Sequence, residues 1–180
     1  MQSPLSKDYF DLFGLPVSYR IDSDKLAQRY RELQHTIHPD RYTTASDQER
    51  RLSLQLTAQV NEAFQTLKDP ILRARYLLDL RDANPSQRDI AMNPEFLSEQ
   101  IELRERLSGI SDNQNPQGKL IQMRNEIEDR STDLQKRFGR QFDIGTEDAL
   151  KSAGMLYLEM QFIGKLQQEV NDLEMELSVQ

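Results

Sequence analysis

The sequence predicts an all-α protein. A helical hairpin with flanking short helices is followed by an antiparallel three-helix bundle, the two parts meeting as an L. Three observations predict it. Apolar residues recur at spacings of three and four on both sides of the tripeptide His38-Pro39-Asp40. A turn-rich break, Asp82-Ala83-Asn84-Pro85-Ser86-Gln87, separates two stretches of unlike charge. A seven-residue apolar repeat runs through the end of the chain, with Leu156, Ile163, Val170 and Leu177 in step. The expected division is residues 1–80, a linker over 81–93, and a bundle over 94–180.

Taken in order, Tyr9-Phe10-Asp11-Leu12-Phe13 reads as a short helix stopped by Gly14 and Pro16, its aromatics most simply core. Ile21-Asp22-Ser23-Asp24 caps the next helix, whose Leu26, Tyr30, Leu33 and Ile37 share one face. Proline after His38 disfavours the helical conformation there, so this helix stops and a corner presents an imidazole and a carboxylate. Thr43 to Asp47 supply loop and cap residues, and Leu52, Leu56, Val60, Ala63, Phe64 and Leu67 form a second stripe that should zip against the first. Lys68-Asp69-Pro70 breaks the chain and restarts it, with Pro70 at the first position of another helix.

Beyond the break, helices are expected over 94–107, 119–142 and 146–177. The middle one has Leu120, Ile127, Leu134 and Phe138 on its stripe. On the first, Leu103, Leu107 and Ile110 fall within about 40° of Phe96, whereas Leu97 and Ile101 fall about 100° and 140° away. A second, narrow apolar strip rimmed by charge is the pattern of a protein-binding patch; burial of both strips in the bundle is the alternative. Phe162, one position before the seven-residue seam, either flanks the core or joins that patch.

Composition excludes several classes. The 180 residues contain no cysteine, which removes disulfides, thiolate zinc sites, iron–sulfur ligation by the chain itself and cysteine nucleophiles. The net charge of −7 is uneven: residues 1–80 carry 11 basic and 11 acidic side chains, residues 81–180 carry 12 and 19. Neither half has the basic excess of a nucleic-acid binder, and the asymmetry suggests two modules with different partners. No apolar run approaches the ~18 residues of a membrane span, and no signal or transit pattern opens the chain, so a cytoplasmic location without membrane contact is expected.

Tyr9-Phe10-x-Leu12-Phe13-Gly14-Leu15, His38-Pro39-Asp40-Arg41 and Asn61-Glu62-Ala63-Phe64-x-x-Leu67-x-Asp69-Pro70-x-x-Arg73-x-x-Tyr76 together resemble a J domain. The resemblance implies a module that docks on a DnaK-type chaperone and stimulates its ATPase, with His38, Pro39, Asp40 and the cations Lys25, Arg29 and Arg31 as the docking residues. Glu32 among those cations points to a specialised chaperone. The stretch Asn93 to Glu105 and the run Arg73-Ala74-Arg75-Tyr76-Leu77-Leu78 extend the similarity to the HscB family of co-chaperones in bacterial iron–sulfur cluster assembly. That resemblance implies an HscA-like chaperone as partner and an IscU-like scaffold protein as client. The client would be held by Leu97, Ile101 and Phe162 and steered by Glu102 and Glu105. Ser98 stands where the family often has a larger apolar residue.

Rival readings are an enzyme, a helical adaptor and a J protein serving another client. His35, His38 and Asp40 offer the only metal-ligand pattern, and it lacks traceable supporting residues; no metal or other cofactor is expected. There is no Gly-rich phosphate loop and no nucleophile–base pair, so no catalysis is expected. The sustained heptads of the last helix leave weak self-association open.

Overall fold

The structure is a computed structural model that describes residues 8–37, 46–85 and 94–178. These residues form seven helices and no strand: α1 (Tyr9–Phe13), α2 (Ser23–Ile37), α3 (Asp47–Lys68), α4 (Pro70–Asp79), α5 (Pro94–Ser108), α6 (Pro116–Ile144) and α7 (Glu147–Ser178). They divide into two compact units, Met1–Leu77 and Leu78–Gln180.

In the first unit each helix begins on a side-chain cap. Asp8 accepts from the Asp11 amide at 2.8 Å, Asp22 from the Lys25 amide at 3.0 Å, and Ser46 forms a reciprocal capping box with Glu49. Gly14 ends α1 at φ 61°, a left-handed conformation in which a side chain would be strained. The α2–α3 hairpin is antiparallel. At the C-terminal end of α2 the Ser53 hydroxyl donates to the Ile37 carbonyl at 2.7 Å. Farther along, Tyr30 stacks on Phe64 with ring centroids 3.9 Å apart and donates to the Asn61 side chain at 2.9 Å.

The two expected stripes meet, but burial along them is uneven. Leu26, Val60, Ala63 and Leu67 are buried, Tyr30, Leu33, Ile37, Leu56 and Phe64 are half-buried, and Leu52 is exposed. The physical reason is coverage. A pair of helices shields one face of each, and α1 crosses both over only part of their length, where Phe10 and Phe13 fill the core.

Asp69 serves two helices at once. Its backbone amide donates to the Gln65 carbonyl and closes α3, while its carboxylate accepts from the Ile71 and Leu72 amides at 2.8 Å each and opens α4.

In the second unit consecutive helices are antiparallel, and α5 runs parallel to α7. Cross-helix ion pairs show the register: Arg106 with Glu126 at 2.6 Å, Arg130 with Glu99, and Arg124 with Glu174 at 2.9 Å. The apolar stripes of all three helices are buried, from Phe96, Leu103, Leu107 and Ile110 through Leu120, Ile127, Leu134 and Phe138 to Leu156, Ile163, Leu166 and Val170. The seam weakens at Leu173 and Leu177, both half-buried, because α5 has already ended. Of the segment expected as a linker, residues 81–85 are described, and they pack on this unit. The Arg81 guanidinium lies 5.6 Å from the Phe142 ring centroid, and Pro85 sits so close to α7 that a β-carbon on Gly154 would touch it at 3.4 Å.

Candidate functional site

The first unit presents α2. Lys25, Arg29 and Arg31 are all exposed on it. Arg29 is paired within its own helix, donating to Glu32 at 2.9 Å, and Gln28 donates to the same carboxylate at 2.9 Å. These hydrogen bonds, Gln28's first, hold the Glu32 carboxyl below its ordinary range. An exposed pair of this kind exchanges partners readily, so Arg29 remains available to an incoming carboxylate. His38, Pro39 and Asp40 lie outside the described residues.

The other J-type landmarks hold the fold. Tyr76 accepts a hydrogen bond from the Tyr9 amide at 2.9 Å and stacks on the Tyr9 ring, tying α4 to α1. Ala63 and Leu67 are fully buried, and Asn61 holds Tyr30. Arg73 is 8% exposed; it donates to the Leu67 carbonyl at 2.7 Å, and its guanidinium lies 4.9 Å from the Tyr19 ring centroid. Burial pushes the Tyr19 phenol up to about 12, against the pull of Arg73, and pushes Arg73 down. Arg73 is part of the J-type pattern, but its partner Tyr19 carries no signal in the sequence, because the two lie far apart along the chain.

In the second unit α5 carries two faces. Its core face is Phe96, Leu103, Leu107 and Ile110, all buried. Leu97 and Ile101 stand one turn apart on the neighbouring strip, 40% and 60% exposed, with exposed Glu105 a further turn on. Glu102 is exposed, and its charge acts on Arg106 one turn further along α5. One expected member is placed differently. Phe162 is a buried residue, 7% exposed, and not a surface one. Its ring meets Phe96 edge-on at 6.1 Å and is covered by the Arg104 guanidinium at 5.7 Å, because position 162 of α7 faces α5. Phe162 thus packs between Phe96 and Arg104 of α5.

An exposed apolar strip beside a buried core face can take up a partner's apolar side chains. Among the described residues no group of three or more His, Cys, Asp or Glu side chains is placed to hold a metal ion, and no helix is long and apolar enough to cross a membrane.

Comparison with known proteins joins the two units. Residues 92–171 match the family described as the HSCB C-terminal oligomerisation domain. Over 168 residues, 93% of this chain and 97% of the relative, the sequence is 37% identical to a Co-chaperone protein HscB homolog of Shewanella woodyi. It is 38% identical over 169 residues to the homolog of Photobacterium profundum, covering 93% and 96% of the two chains. Among solved structures, Chaperone HscB from Vibrio cholerae superposes with a TM-score of 0.86 at 34% identity, covering 95% of this chain and 99% of that one. The human co-chaperone protein HscB gives a TM-score of 0.83 at 25% identity, covering 94% and 83%. The all-helical architecture is that of a J domain followed by a C-terminal helical bundle, and the chain belongs to the HscB family of co-chaperones.

Proposed function

We propose that this protein stimulates the ATPase of an HscA-like, DnaK-type chaperone through α2 and the His38-Pro39-Asp40 tripeptide, and delivers to it an IscU-like iron–sulfur scaffold protein bound on the second unit. The observation that carries the delivery reading is the Leu97–Ile101 strip, apolar and exposed beside a complete core. Apolar anchors supply most of the affinity in such an interface, while rim charges such as Glu105 orient the partner and speed encounter. The acidic excess of residues 81–180 suits a client with basic residues around its apolar contact. Lys25 and Arg29, one turn apart on α2, suit an acidic groove on the chaperone, while Arg31 stands on another side of that helix.

Two measurements test the two halves. In a steady-state assay with an HscA-like chaperone, His38→Gln should abolish stimulation and leave scaffold binding intact. Equal stimulation by this variant would remove the docking role of His38. In a titration with an IscU-like scaffold, Leu97→Ala with Ile101→Ala should weaken binding by about 1 kcal/mol or more for each true anchor. Unchanged binding would remove the client surface. Stimulation of the chaperone without scaffold should survive that double change.

A further inference from the structure

Phe162 is 7% exposed; Phe96 meets its ring edge-on, and the Arg104 guanidinium lies over it. Arg104 is 54% exposed, rests its guanidinium 5.7 Å from the Phe162 ring centroid, and reaches Glu169 on α7 only at 3.9 Å. On the far side of that pair, Leu107, Ser108, Ser111 and Leu173 line a groove between α5 and α7, with Arg104 and Glu169 on its rim. On the near side are Leu97 and Ile101. Along α5, Arg104 thus stands between the strip and the groove, one turn after Ile101 and one turn before Leu107 and Ser108.

We propose that Arg104 is a displaceable lid over Phe162, and that the opened α5–α7 furrow seats an apolar side chain of the client with a cation beside it. The inference rests on the client reading above and adds to it the seat and its chemistry. A long, exposed ion pair is held weakly, and an exposed cation over a ring contributes little, so an incoming lysine or arginine exchanges with Arg104 at small cost. Glu169 receives the incoming cation. The surrounding charge favours that exchange, since Glu105 is exposed on α5 and residues 81–180 carry 19 acidic against 12 basic side chains. Once Arg104 has moved, the Phe162 ring is uncovered and adds an aromatic surface to the seat.

The test titrates the full-length protein with an IscU-like scaffold at low and high salt, with thermal melts on every variant. Arg104→Ala, and Arg104→Gln as a second variant, should leave the melt in place and tighten binding about two- to fivefold, the factor an exposed cation–π contact is worth. Adding Glu169→Gln to Arg104→Ala should reverse the gain and flatten the salt dependence, because the receiving carboxylate is gone. If the Arg104 variants bind equally or more weakly while Leu97→Ala with Ile101→Ala still weakens binding, the lid is overturned and the client surface stands. If that double change has no effect, the client surface fails and the lid fails with it.

Discussion

Two side chains of the second unit separate exposure from chemistry. Phe162 and Leu97 are both large, apolar and close to the strip, yet one is 7% exposed and the other 40%. Phe162→Ala should therefore cost about 3 kcal/mol of stability, the scale of a large-to-small change in a core. Leu97→Ala and Ile101→Ala should each stay within about 0.5 kcal/mol, as surface changes do. Chemical denaturation of the three variants checks this; equal losses would mean that the strip is packed as tightly as the core.

Glu159 on α7 has the opposite character. Burial raises its carboxyl pKa above the ordinary 4.5, Arg137 and Arg130 pull it back, and Glu99 and Asp133 push it up again. A carboxyl raised by folding stabilises the fold below its unfolded value, and that contribution is lost as pH rises through the folded one. Glu159→Gln should therefore raise the melting temperature at neutral pH, and the gain should vanish on acidification to about pH 4. A gain independent of pH would assign the effect to packing instead. Glu99 and Glu126, both lowered by hydrogen bonds from arginines, work in the reverse sense and lose their contribution in acid.

At the scale of elements, the junction between α3 and α4 depends on one residue. Asp69→Ala removes the acceptor for two amides and should cost about 1–2 kcal/mol, whereas Asp69→Asn keeps an acceptor and should lie near the parent. Urea unfolding followed by circular dichroism distinguishes them, and an alanine variant as stable as the parent would reassign the junction to Pro70. This junction was legible in advance, because Lys68-Asp69-Pro70 is local chemistry. So were the helix bounds, which moved by a few residues at most: expected ends at 107, 142 and 177 became Ser108, Ile144 and Ser178. The pairing of charges was not legible. Glu99 with Arg130 and Arg124 with Glu174 join residues far apart in the chain, and nothing in their spacing distinguishes them from solvated neighbours.

For the whole molecule, the two units should fold on their own. A fragment of residues 1–80 keeps α4 whole, and a fragment of residues 78–180 keeps the contacts of Arg81 with Phe142 and of Pro85 with Gly154. Both should melt cooperatively. A fragment beginning at residue 88 lacks those contacts and should melt at a lower temperature than 78–180. Identical melting would mean that residues 81–85 lie on the unit without stabilising it.

The sequence by itself determined where the helices run, which face of each is apolar, and that α5 carries a second apolar strip. These follow from periodicities of three and four and from capping residues that act within one turn. Only the tertiary structure decided which members of those stripes are covered. Leu52 and Leu67 share a stripe on α3, and Phe162 and Ile163 are neighbours on α7. Leu52 is open and Leu67 closed because α1 spans only part of the hairpin. Phe162 is closed because α5 supplies both Phe96 beneath it and Arg104 above it. Burial belongs to what lies across from a side chain, and that partner comes from elsewhere in the chain.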